Sequence, residues 1–438
     1  MDIQLDQISK TEALIKISLK EADYQQKVEG KLKEFSKKAQ IKGFRKGKVP
    51  KSLIQKMHGK SILVEEINQM VSQQVTDYIK ENKIQILGEP LPNGEKIAQL
   101  DWDNAKDFEF EYELGIAPEF DVKLDKKFKV DTFSIKIDDQ LMAETMENLK
   151  KQFGEVTNPD VSEEGDSIFG QLPSDNEEVK GSLLNLADVE KKSLKKFIGQ
   201  KSGDVIEFDL EKTIKSDIAR RTFLGEDHAD LTGKVKFEVK NINRTTPAEI
   251  NQDLFDKTFG KDVVKTEEEF TEKIKTSVSE NYVNETDKYA EMKIKDTFVE
   301  KTKMELPDTF LKKWLETANT NELTKEQIES EYPLYAKDLK WSLIKSKIAK
   351  DNDVKTEHED VVAEARKMIT AQFGSMGMSA ALDANIDTFV ENYLKGEEGQ
   401  NYMKLNEKVF NDKVVDLIRE KVTIKVKEVS AEEYREKA

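Results

Sequence analysis

Between Pro247 and about Glu420 the apolar residues of this chain recur every three or four positions, whereas before Pro247 they come in short alternating runs and a few helical stretches. Spacing of 3.6 belongs to amphipathic helices and alternation to half-buried strands. The chain is therefore multidomain α+β, with a mixed first part and a helical remainder. Its 438 residues exceed one ordinary core, which fits several domains.

In the helical part, Thr266 and Glu269 read as a capping box ahead of Phe270, Ile274 and Val278. Pro307-Asp308 opens a second helix through Phe310, Leu311, Trp314 and Leu315. Further stripes run through Leu334, Leu339, Trp341, Ile344 and Ile348, then Val361, Val362, Ala365 and Ile369, then Val409, Val414, Val415, Leu417 and Ile418. Most of these side chains pack inward, and Val422 to Val426 form a last strand before a charged tail.

Ahead of Pro247, residues 3 to 20 alternate as a hairpin, with Ile15, Ile17 and Leu19 on one face. Tyr24, Val28, Leu32 and Phe35 then repeat at helical spacing. A short helix carries Leu53, Ile54 and Met57, and a longer one starts near Ser61. Phe108, Phe110, Tyr112 and Leu114 share one strand face and close an α+β domain near residue 115. A connector follows, with a strand near Phe128 to Ile137 and a helix capped by Asp138 and ended by Gly154 and Pro159. Residues 161 to 244 are short strands and turns.

Charge adds a second constraint. Residues 31 to 60 hold eleven basic side chains against the single acid Glu34, within a chain of formal net charge −16. Such a local reversal suits a polyanionic partner, because cations that neutralise phosphates gain affinity by counterion release. Overall acidity excludes a general nucleic-acid coat. There is no cysteine, hence no disulfide or thiolate chemistry. The sequence also lacks an apolar run of about 18 residues and a signal-peptide pattern, from which a soluble, cytoplasmic protein without membrane contact is expected.

The basic window centres on Ile41-Lys42-Gly43-Phe44-Arg45-Lys46-Gly47-Lys48-Val49-Pro50. Two glycines free the backbone to reverse, Pro50 suits a helix start, and Phe44 is held out at a turn. The order Gly-Phe-Arg-Lys-Gly-Lys-Val-Pro resembles the ribosome-docking signature of the bacterial trigger factor family. The resemblance implies that Gly43, Phe44, Arg45, Lys46, Gly47, Lys48 and Pro50 meet a large-subunit ribosomal protein and ribosomal RNA beside the exit tunnel.

Further along, Gly115-Ile116-Ala117-Pro118-Glu119 is similar to the family's exit from its N-terminal domain. Lys201-Ser202-Gly203-Asp204 and Leu231-Thr232-Gly233-Lys234 resemble its FK506-binding-type prolyl isomerase domain, a half-barrel sheet wrapped on a short helix. The resemblance divides the chain into a ribosome-binding domain (1–115), a linker (116–160), an FKBP-type domain (161–245) and a helical, substrate-binding chaperone domain with arms (246–438). It implies an ATP-independent chaperone whose partners are the ribosome and unfolded or nascent polypeptides. It leaves a homodimer open for the free protein; no cofactor is expected, and His58, His228 and His358 are too scattered to imply a metal site.

The alternative is an active prolyl isomerase, whose pocket would draw on Phe169, Phe197, Phe208, His228 and Phe237. Where the family has Ile-Pro-Gly-Phe, this chain reads Asp188-Val189-Glu190-Lys191-Lys192-Ser193-Leu194-Lys195-Lys196-Phe197. In the late loop Asp227 stands where a tyrosine belongs beside His228. Charges hold their water and oppose desolvation of a proline, so the fold is expected with weak or no catalysis and the phenylalanines in the core. No catalytic residue is assigned.

A plain RNA binder is disfavoured because aromatics are not interleaved with the basic residues. Gly59-Lys60-Ser61 lacks the first P-loop glycine at Ile54, and Asp351-Asn352-Asp353 lacks the glycine and glutamate of a calcium loop. Around Gly374-Ser375-Met376-Gly377-Met378, the adaptable side chains Met376, Met378 and Phe373 are the candidates for client contact.

Overall fold

The opening alternation produces a hairpin in which β1 (Asp2–Gln7) pairs antiparallel with β2 (Glu12–Leu19). A computed structural model describes the chain except at residues 43, 46–48, 173–178, 226–230, 319–323, 376–384 and 438. The described chain forms two compact units, one of Met1–Thr132 with Ala290–Lys425 and the other of Phe133–Tyr289 with Val426–Ala438.

In the first unit, helices α1 (Glu21–Lys38) and α2 (Lys51–Glu81) follow the hairpin. Then come β3 (Leu91–Pro92), the short α3 (Gly94–Ala98) and β4 (Phe108–Gly115), in a sheet of order β1-β2-β4-β3. Register sets Ile15 opposite Tyr112, Ile17 opposite Phe110 and Leu19 opposite Phe108. One sheet face therefore presents a continuous apolar surface, which Tyr24, Val28 and Leu32 of α1 and Ile67, Val71 and Val75 of α2 cover. Each such side chain contributes about 1.5–3 kcal/mol by leaving water.

Two expectations change here. The break expected near Ser61 is absent: Lys51 to Glu81 is one helix running through Gly59. A glycine inside a helix costs about 1 kcal/mol, less than is gained by keeping the flanking Ile54 and Ile62 on one buried face. The buried stripe of α1 also stops at Leu32, and Phe35, one turn on, is exposed.

The second unit holds the end of β5 (Lys129–Ile135), then α4 (Asp139–Gln152), whose N-cap Asp138 accepts from the Leu141 amide at 3.0 Å. Its five-stranded sheet contains β6 (Glu155–Thr157), β7 (Ser167–Leu172), β8 (Val179–Asn185), β9 (Val205–Asp209) and β10 (Lys234–Thr246). The order is β6-β10-β7-β8, with β9 also on β10, all antiparallel. Short helices α5 (Lys191–Leu194), α6 (Leu210–Thr213) and α7 (Asp217–Leu224) accompany it. A second core joins α4 to α8 (Gln252–Phe259) and the start of α9 (Glu267–Lys301). The expected box at Thr266 is displaced: its hydroxyl accepts from the Glu269 amide at 3.2 Å, but Glu269 reaches back to the Lys265 amide.

The remaining helices of the first unit are α10 (Asp308–Ala318), α11 (Lys325–Asp351), α12 (His358–Ser375), α13 (Ile386–Lys395) and α14 (Gln400–Lys421). Ile294, Phe298, Phe310, Trp341, Ile344, Ile348 and Val414 share a core with Leu87 and Val130. Leu334 departs from its expected inward place and is 65% exposed, because it lies two residues from buried Tyr332 and so on the far side of α11. The last strand, β11 (Thr423–Val429), pairs with β5, and α15 (Ala431–Lys437) takes up the tail that reads as merely charged.

Two glycines of the first unit make room for α10. A Cβ on Gly115 would stand 2.5 Å from Cδ1 of Phe310. Gly88 has φ of +76° and supports the Trp314 ring, with a built Cβ only 3.0 Å away. Beside them Lys313 pairs with Glu113 at 2.9 Å.

Candidate functional site

The basic segment caps a helical hairpin. Helix α1 ends at Lys38 and α2 begins after Pro50, whose carbonyl accepts from the Leu53 and Ile54 amides. The base of the loop is tied where the Ser36 hydroxyl donates to the Val49 carbonyl at 2.6 Å, with the Val49 side chain buried. The Phe44 amide closes a turn onto the Ile41 carbonyl at 3.0 Å, and the Phe44 ring is 43% exposed. Arg45 and Pro50 are exposed too. Gly43, Lys46, Gly47 and Lys48 lie outside the described residues.

The lysines of the hairpin sort into two groups. Lys31 pairs with Glu66 at 3.0 Å, Lys51 with Glu29 at 3.5 Å and Lys60 with Asp103 at 2.7 Å. The Glu66 carboxylate raises the Lys31 pKa, by hydrogen bond first and by charge second. Among the described residues, Lys33, Lys37, Lys38, Lys42, Arg45 and Lys56 are exposed and hold no ion pair. These six leave a field of uncompensated positive charge at the loop end of the hairpin.

The isomerase-like candidates do not converge on an open pocket. Phe197, Phe208 and Phe237 are buried at 0%, 2% and 0% exposure, with ring centroids 5.1 Å apart for Phe197–Phe208 and 6.5 Å for Phe208–Phe237. Phe223 of α7, which spacing did not single out, stacks edge-on against Phe237 at 5.3 Å. Phe169 is not with them. Strand alternation buries Ile168, Gly170 and Leu172, so Phe169 faces outward, 39% exposed, across Gly181. His228 lies outside the described residues.

On the helical side of the first unit, Phe373 of α12 packs against Phe389 of α13, centroids 5.3 Å apart. Met376 and Met378 lie outside the described residues. Beside this pair, α12, α13 and α14 enclose a groove of about 610 Å³. Val362, Val390, Leu394 and Tyr402 line it, and Arg366, Asp387 and Lys395 stand at its polar edge. Periodicity marks Val362 as core; Val390 and Leu394, four apart on α13, carry the same signal. Such a mostly apolar concavity with a charged edge suits an apolar side chain attached to a polar backbone.

A basic helical hairpin on an α+β sheet, an antiparallel sheet unit with an aromatic core, and a helical region with an apolar groove define a multidomain α+β protein. Comparison with known proteins gives the family. The description "Bacterial trigger factor protein (TF)" matches residues 1–149, "Probable trigger factor, FKBP-like domain" residues 156–247, and "Probable trigger factor, C-terminal domain" residues 286–437. The chain belongs to the trigger factor family.

Trigger factor from Chlorobaculum parvum is 24% identical over 448 residues, covering 97% of each chain. That of Pelagibacter ubique is 23% identical over 435 residues, 96% of this chain and 85% of its own. A solved structure reported under "Promiscuous Substrate Recognition in Folding and Assembly Activities of the Trigger Factor Chaperone" is similar over 95% of this chain and 99% of that one, at 16% identity and a TM-score of 0.47. Among the described residues no helix is long and apolar enough to cross a membrane.

Proposed function

We propose that this chain is an ATP-independent, cytoplasmic chaperone that docks on the ribosome beside the exit tunnel through the Gly43–Pro50 loop and shields nascent polypeptides. The observation that carries the reading is the pinned hairpin, which holds Phe44 outward among six exposed cations that no carboxylate neutralises. Cations so placed meet phosphates of ribosomal RNA or carboxylates of a ribosomal protein, and the phenylalanine adds an apolar anchor. The division into residues 1–115, 116–160, 161–245 and 246–438 belongs to the same proposal.

The apolar groove of α12, α13 and α14, together with the partly covered Phe373, is the proposed client surface. Burial of Phe197, Phe208 and Phe237 supports weak or absent prolyl isomerase activity, since their rings are spent on the core. Co-sedimentation with 70S ribosomes over a salt series tests the docking. Wild type should pellet, increasingly less as salt rises, and the triple variant Phe44→Ala, Arg45→Ala, Lys46→Ala should stay in the supernatant. Equal behaviour of the two would overturn the docking role.

A further inference from the structure

Phe35 and His58 stand 23 positions apart in sequence, yet the hairpin brings their rings to 5.0 Å between centroids, tilted by 47°. Phe35 remains 40% exposed, and Met57 next to His58 is 53% exposed. Lys38 lies on the same face of α1 as Phe35, at the spacing of three residues that makes helix neighbours, and holds no ion pair, whereas Lys31, four residues before Phe35, is already paired with Glu66. An aromatic ring is thus set on a leg of the hairpin beside the unpaired Lys38, with Lys33 and Lys37 flanking it in the sequence.

The chemistry of this surface discriminates between anionic partners. A carboxylate-rich protein patch would answer the lysines but offers nothing flat and apolar to Phe35. A nucleic-acid duplex answers the lysines too, but its bases are already stacked and paired. A single strand supplies phosphates for the cations and an unstacked base for the ring, the combination by which single strands are held without sequence readout.

We infer that Phe35, backed by His58, is a stacking platform for an unpaired base of single-stranded RNA whose phosphates meet the cations of the α1–α2 hairpin. This rests on the ribosome reading and deepens it: the docking surface extends from the loop tip down the hairpin legs, and the legs take the RNA.

The test uses the full-length chain, fluorescence anisotropy with a labelled short oligouridylate, and parallel ribosome co-sedimentation. Phe35→Ala should weaken oligouridylate binding roughly five- to a hundredfold, with the slope of log affinity against log salt unchanged. Phe35→Tyr should restore it. Lys37→Gln with Lys38→Gln should instead lower that slope by about one to two. Because Phe35 is exposed, thermal melting of the variants should match wild type, which separates stacking from folding.

If Phe35→Ala binds the oligonucleotide as wild type does while both pellet with ribosomes, the platform is refuted and the docking reading stands. If wild type binds the oligonucleotide in a Phe35-dependent way but never pellets with ribosomes, the platform stands and the docking reading falls. Equal, equally Phe35-dependent binding of polyglutamate would refute the RNA assignment in favour of an acidic protein surface.

Discussion

Asp166 offers the sharpest perturbation in the second unit. Its side chain is 2% exposed, and three donors converge on it. Oδ1 accepts from Arg244 Nε at 2.8 Å; Oδ2 accepts from Arg244 Nη2 at 2.9 Å and from the Glu163 amide at 2.7 Å. Asp166→Asn keeps the volume but leaves a single acceptor oxygen and turns an amide against the remaining donors. Loss of charge-assisted bonds at a buried group costs about 3 kcal/mol, on a scale of roughly 1.5–3 kcal/mol for each bond to a charged partner.

Burial raises the Asp166 pKa, but the Arg244 hydrogen bonds and charge and the Glu163 amide outweigh it, so the carboxyl sits below its ordinary value of 3.8. Its stabilisation is therefore complete above that value and is lost only as pH falls through the lower folded value. Hydrogen exchange of the β7 and β10 amides reads this directly. At neutral pH the variant should exchange about 100-fold faster than wild type, and the ratio should fall toward one in acid. Trp102, Trp314 and Trp341 all belong to the first unit, so tryptophan fluorescence should not respond. An unchanged exchange rate at neutral pH, or a ratio constant into acid, would refute the reasoning.

Three further outcomes are expected. Gly115→Ala should drive a methyl into Phe310 and lower the unfolding free energy of the first unit, measured by urea titration with tryptophan fluorescence, by about 1–3 kcal/mol. The isolated activity assay on a proline-containing peptide should show the full chain accelerating isomerisation far less than an active FK506-binding domain; comparable rates would show that Phe197, Phe208 and Phe237 are not locked in the core. Val362→Gln in the groove of α12, α13 and α14 should reduce suppression of aggregation of a denatured client several-fold while leaving thermal melting nearly unchanged.

Local patterns were readable wherever one face of an element meets a core that its own neighbours build. Alternation over Ile15, Ile17 and Leu19 and over Phe108, Phe110 and Tyr112 specifies the sheet, since a one-residue slip would turn every apolar side chain to water. Asp138 announced its helix through the short reach of a carboxylate to a nearby amide. The charge reversal at residues 31–60 and the glycine-bounded Phe44 likewise needed no coordinates, because a loop between two helices displays whatever residues it contains.

What tertiary structure alone decided are meetings between residues far apart in sequence. Phe35 continues the α1 stripe and reads as core, but how far that turn is covered is decided only in three dimensions, where His58 lies against the ring and leaves Phe35 40% exposed. Phe169 shares its residue type with Phe197, Phe208 and Phe237, yet its strand parity sends it to the opposite face. The seat of Phe310 on Gly115 joins positions 195 residues apart. Periodicity states that a side chain seeks cover; which element supplies it is set by the packing of the whole, where close approach and the remaining exposure select the surfaces left free to bind.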